Sequence, residues 1–163
     1  GIVTHKVLQW ICDYHPASHK EIPWKLAEDE FNMLGFNQDT KHLALANLKK
    51  QLKQLFTDPI GQWIISQHQH EHNEYELLVE HHNQLVTRII DRTFEEANEL
   101  WIIDFKTGRE DFAAHKKYQQ QLNEYGMYLS YLSKLPIRCG LYYLTNSHWT
   151  HWYYEPELIR EIP

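Results

Sequence analysis

The hydrophobic repeat changes period part-way along the chain, and that change excludes all-helical and all-strand folds together. Ile2, Val3, Val7, Leu8, Trp10 and Ile11 recur at helical spacing, with Pro16 shortly after them. A second short helix is expected over Trp24–Met33, stopped by Gly35. A third is marked by Leu43, Leu45, Leu48, Leu52 and Leu55 and ended by Asp58-Pro59. Beyond these the period falls to two. Glu74–Glu80 and Leu85–Phe94 read as a hairpin, and Glu99–Lys106 as a third strand, apolar enough to be central. A helix from about Phe112 to Leu132 precedes two more strands, Ile137–Leu144 and Trp149–Tyr154. The expectation is one α/β domain over residues 1–163, with a helical part at 1–60 and an αβ core at 74–163.

Charge and cysteine usage narrow the function. With 22 acidic against 16 basic residues the formal net charge is −6, which argues against a free-standing, high-affinity nucleic-acid binder that works by phosphate neutralisation alone. It does not exclude an enzyme that receives nucleic acid from a neighbouring domain. Two cysteines without a CxxC pair exclude a Cys-only zinc or iron–sulfur site. A single disulfide is one option; reduced thiols in a cytoplasmic protein are the expectation. No apolar run is long enough to span a bilayer, so no membrane partner is expected. The opening Gly-Ile-Val-Thr-His lacks both a Met and a signal peptide, and it begins inside an apolar-periodic segment. That suggests a piece of a longer polypeptide. The His-rich tract Gln67–His72 reads as a solvated loop, and the aromatic residues of 142–154 as packing for a sheet edge or a neighbouring domain.

The chemistry concentrates in Ile90-Asp91-Arg92 and in Asp104-Phe105-Lys106. On a strand, Asp104 and Lys106 project to one face and Phe105 to the other. An acid and an amine sharing a face, with a second acid on a neighbouring strand, suit phosphodiester hydrolysis. Two carboxylates hold a hard divalent cation, Mg²⁺ or Mn²⁺. The cation acidifies water and stabilises charge on phosphate oxygens, and the amine positions or deprotonates the attacking water. An isolated Asp-x-Lys triplet is usually a surface ion pair, so its context decides.

That context resembles the RecB-type nuclease domain of the PD-(D/E)XK superfamily, found at the carboxy-terminal end of RecB and AddA helicase–nucleases. Four features match in order over almost the whole chain: Gly1-Ile-Val-Thr-His5, Ile89-Ile90-Asp91-Arg92, Asp104-Phe105-Lys106-Thr107 and Gln121-Leu122-Asn123-Glu124-Tyr125. The resemblance implies the PD-(D/E)XK core, a central mixed β-sheet flanked by helices after an N-terminal helical portion. It implies that His5, Asp91, Asp104 and the Phe105 backbone carbonyl bind the metal. Lys106 would act on the attacking water, while Gln121 and Tyr125 would line the site and contact the DNA backbone or support the lysine. Implied partners are DNA, helicase motor domains of the same parent chain and further subunits. One residue departs from the pattern: Arg88 stands where the family usually has Gly. An upstream acid also recurs in the family, and Glu74 and Glu76 both qualify.

Two alternatives remain at this level. One is a nuclease-like module that binds or docks DNA without cutting it; retention of Asp91, Asp104 and Lys106 counts against it. The other is a stand-alone restriction- or repair-type endonuclease on the same core.

Overall fold

A computed structural model describes residues 1–108 and 111–156. The expected domain over 1–163 also takes in 109–110 and 157–163, which lie outside the described residues. The helices are α1 (Ile2–Tyr14), α2 (Trp24–Met33), α3 (Gln38–Thr57), α4 (Pro59–Ile65) and α5 (Phe112–Ser130), with a 3-10 turn at His19–Glu21. The strands are β1 (Gln69–His81), β2 (Gln84–Glu96), β3 (Glu99–Lys106), β4 (Ile137–Tyr143) and β5 (His148–Tyr153). The chain forms two compact units. One comprises Gly1–Gln67, Phe105–Arg109 and Tyr143–His148; the other comprises His68–Asp104, Glu110–Tyr142 and Trp149–Pro163.

In the first unit, the helical periodicity read from the sequence becomes a core. Val3, Val7, Leu8 and Ile11 of α1 are buried, as are Ala27 and Phe31 of α2 and Leu48, Leu52 and Leu55 of α3. Contacts run from α1 to α2, α2 to α3 and α3 to α4. The helical portion extends beyond residue 60 because Asp58 both ends α3 and caps α4. Its carboxylate accepts from Gly61 N at 3.0 Å, and Pro59 occupies the first helical turn, where its missing N–H costs no hydrogen bond. Asp58-Pro59 therefore ends one helix and starts another.

The five strands form one mixed sheet in the order β1-β2-β3-β4-β5. The first three are antiparallel. Their turns place His82 and Asn83, then Ala97 and Asn98, at positive φ (49°, 62°, 51° and 60°), the paired left-handed backbone of two-residue hairpins. β4 runs parallel to β3: Leu100 N donates to Pro136 O, and Leu144 N donates to Lys106 O, both at 2.9 Å. α5 makes the crossover that a parallel pair needs. β5 returns antiparallel to β4, with Tyr154 N donating to Ile137 O at 2.9 Å. Gly140 is required in β4 because the Trp149 ring lies where a Cβ would project.

The His-rich tract is not a loop. β1 begins at Gln69, so His70 and His72 are strand residues. Cross-strand partners fix their positions: His70 Nδ1 is 2.7 Å from Glu95 Oε2, and the His68 ring stacks on Phe94 with centroids 3.8 Å apart. The tract's polar composition concealed an edge strand whose register shifts between Gln69 and His72, with His70 at φ 50°. Cys12 and Cys139 are both buried free thiols. Among the described residues no helix is long and apolar enough to cross a membrane.

Candidate active site

In the second unit, the register between β2 and β3 sets the geometry of the acids. Arg92 pairs with Ile103, and Thr93 with Ile102. Carried one residue further, that register sets Asp91 across from Asp104. Like charges facing across neighbouring strands destabilise a sheet. Asp104 is also only 6% exposed, between the apolar residues 100–103 and Phe105 of its strand. Burial of a carboxylate at such a position is costly without compensation by a positive charge.

α5 brings a phenol to the same place. Tyr125 is 3% exposed, and its hydroxyl accepts a hydrogen bond from Gln121 Nε2 at 2.9 Å, one helical turn away. Burial pushes the phenol up to about 12, with the negative charges of Asp104 and Asp91 adding to the rise. Both aspartates therefore act on one hydroxyl. The Gln121 hydrogen bond works in the opposite direction and is outweighed.

The two upstream acids differ in register. Asn73 pairs with Arg92 and Tyr75 with Ile90, so Glu74 lies opposite Asp91, whereas Glu76 pairs with Ile89. Glu74 is half-buried and holds a left-handed backbone at φ 49°, while Glu76 is exposed. A non-glycine residue inside a strand at positive φ stores strain, which is common at functional sites. Arg88, the departure from the family pattern, reaches α5 with its Nε 3.5 Å from Glu124 Oε1. Tyr128 donates to that same Glu124 oxygen at 2.8 Å. The larger side chain is thus tied down beside Tyr125 by an acid on the same helix.

In the first unit, the opening motif meets the end of β3. His5 of α1 places Nε2 3.1 Å from the Phe105 carbonyl oxygen and Nδ1 2.8 Å from the Gly1 carbonyl oxygen. Gly1 itself sits close to Thr107, whose Oγ1 would lie 3.6 Å from a Cβ added there. A neutral imidazole has one N–H, so only one of the two carbonyls can accept from it. With the proton on Nδ1, the Nε2 lone pair and a carbonyl oxygen face the same point, an arrangement that suits a cation. Lys106 is half-buried at the end of β3, two residues from Asp104 and so on the same face of the strand, while Phe105 is buried.

Each unit thus supplies oxygen and nitrogen donors of the kinds a hard divalent ion accepts: carboxylates in one, an imidazole and a backbone carbonyl in the other. The donor types fit such an ion. Among the described residues, however, no group of three or more His, Cys, Asp or Glu side chains stands close enough together to hold a metal. What is assembled is a carboxylate pair against a phenol and, separately, an imidazole against a carbonyl.

Sequence reading missed Arg92 as a structural residue. It is fully buried, and its guanidinium donates to Asn73 Oδ1 at 2.6 Å and to Glu71 Oε2 at 3.0 Å while lying over the Phe94 ring. Because it directly follows Asp91, the anchored Arg92 holds the backbone that carries the acid. The partners lie about twenty residues upstream, and no local spacing signals them.

No curated protein matches the chain. The family model described as the PD-(D/E)XK nuclease superfamily matches residues 1–161. The chain belongs to the PD-(D/E)XK nuclease superfamily.

Proposed function

We propose that the chain is a metal-dependent deoxyribonuclease of the RecB/AddA type, the nuclease domain of a helicase–nuclease acting in DNA recombination and repair. One observation carries the reading: two aspartates on neighbouring strands, set opposite by register, both act on the buried Tyr125 hydroxyl. Four motifs in the RecB order support the subtype, and the net charge of −6 fits a domain to which a motor delivers DNA.

Asp91 and Asp104 would hold Mg²⁺ or Mn²⁺, with His5 and the Phe105 carbonyl as the further ligands and Glu74 as the upstream acid. The ion would supply Lewis-acid stabilisation of phosphate oxygens and a more acidic water. Lys106, on the Asp104 face of β3, positions the attacking water or takes its proton. In the metal-free protein, burial and the two aspartates raise the Tyr125 phenol to about 12, which favours its protonated form. It therefore serves as a hydrogen-bond donor to a phosphate oxygen, held in orientation by Gln121.

The test uses labelled single- and double-stranded oligonucleotides with Mg²⁺ or Mn²⁺. Cleavage is expected with either metal. Lys106→Ala is expected to slow it by about 10²- to 10⁴-fold, the usual contribution of a general acid–base group. Asp104→Ala is expected to abolish it, with circular dichroism unchanged. No cleavage under any of these conditions, together with no metal binding by calorimetry, would defeat the reading. DNA binding without cutting would favour the docking module instead.

A further inference from the structure

The first unit carries a second charged feature that the catalytic reading does not use. His19, Lys20, Trp24, Lys49, Lys50 and Lys53 line an open groove of about 510 Å³. Lys49 and Lys53 are one turn apart on α3 with Lys50 beside them, and Lys20 comes from the 3-10 turn before α2. All four lysines are exposed, and none forms an ion pair among the described residues. No acidic residue lines the groove. Lys49 Nζ lies over the half-buried Trp24 ring, 5.3 Å from its centre, so the indole lines the same space and a base that stacks on it displaces the ammonium toward a phosphate.

This arrangement is unfavourable for the chain by itself. Like charges at i and i+4 on a helix repel, and here a third and a fourth cation join them. The protein as a whole is acidic, so a quarter of its sixteen Lys and Arg residues converge on one groove against the general trend. An anion with several charges spaced along it removes that repulsion. Surface lysines alone would accept any polyanion. The tryptophan narrows the choice, because nucleobases stack on indole and sugar-phosphate chains present regularly spaced charges.

We propose that this groove binds a strand of single-stranded nucleic acid, with phosphates on Lys20, Lys49, Lys50 and Lys53 and a base against Trp24. It is a strand-holding site built from the helical unit alone. The choice of nucleic acid as occupant rests on the nuclease reading. The grip itself needs no metal and no catalytic residue.

The experiment measures binding of a fluorescent single-stranded DNA oligonucleotide to the full chain in EDTA, where no cutting occurs. Charge reversal in the double variant Lys49→Glu/Lys53→Glu is expected to weaken binding by about tenfold or more. The same variant should flatten the dependence of log K on log salt by about 0.7 for each phosphate it no longer neutralises. Trp24 emission is expected to be quenched by unlabelled oligonucleotide, a response absent in Trp24→Phe. Thermal melting checks that the variants remain folded, and Lys50→Gln is a milder replacement if the double variant does not fold. Unchanged affinity and salt slope in folded variants would overturn the proposal. So would loss of binding to anionic phosphatidylserine vesicles in these variants while the oligonucleotide binds as before. A protein that never cuts DNA yet shows lysine-dependent binding would refute the catalytic reading and leave this one standing.

Discussion

Gln121 Nε2 donates its 2.9 Å hydrogen bond to the Tyr125 hydroxyl one turn along α5, which leaves the phenol's own proton for another acceptor. The pair is held on a helix face whose neighbours, Leu122 and Leu129, are buried, so neither side chain can move far without disturbing the core. This couples helix packing to the orientation of a group next to both aspartates.

That position has a consequence at high pH. Burial and the two aspartates raise the Tyr125 phenol from 10.0 to about 12. A group whose pKa is higher in the folded state stabilises the fold fully below its unfolded pKa, and the contribution is lost as pH rises through the folded value. Unfolding free energy from urea titrations should therefore contain a Tyr125 contribution that is constant below about pH 10 and declines between there and about pH 12. Tyr125→Phe should remove that part of the decline. Asp91→Asn should lower the pH at which the phenolate absorbance of Tyr125 appears. A Tyr125 that ionises together with the exposed tyrosines would contradict the placement of the acids.

The facing aspartates predict an inverted effect of mutation with and without metal. In EDTA, Asp91→Asn relieves like-charge repulsion of up to about 1 kcal/mol. For a chain of this size that raises the melting temperature by about 2–4 °C. With Mg²⁺ or Mn²⁺ at about 100 times the dissociation constant, the wild-type protein gains about 2.7 kcal/mol and becomes the more stable of the two. Calorimetric melting in both conditions reads the crossover directly. Equal melting temperatures in EDTA would show that the two carboxylates do not repel.

Arg92 predicts a large stability effect from an ion pair that takes no part in the chemistry. Glu71→Ala removes a carboxylate that pairs with the fully buried guanidinium. Breaking such a pair costs about 3 kcal/mol, the low end of the usual range because Glu71 is itself partly solvated. Urea denaturation should show that loss. A change within about 0.5 kcal/mol, as for an ordinary surface position, would mean the pair contributes little.

Several elements could be read directly from the sequence because local patterning decides them. Trp24–Met33 is a helix, and Glu99–Lys106 a strand, over the same residues that the sequence reading assigned. The first hairpin, and the helix that precedes the last two strands, followed from the change of period. Asp91, Asp104 and Lys106 stood out because charges interrupt apolar strands there. α4 was missed because Pro59 looks like a terminator when it starts a helix, and the strand under the His-rich tract was missed because its partners, Glu95 and Phe94, lie some twenty-five residues away.

By itself, then, the sequence determined which segments are helices or strands and which side chains carry charge into apolar strands, since both depend on near neighbours in the chain. Only the tertiary structure decided that Asp91 faces Asp104, that both act on Tyr125, that Glu74 rather than Glu76 lies in register with them, and that Lys20 joins three lysines of α3 around Trp24. Strand register and helix docking set these relationships. They are fixed by how distant surfaces pack, and a one-residue slip would undo them without changing a single local preference.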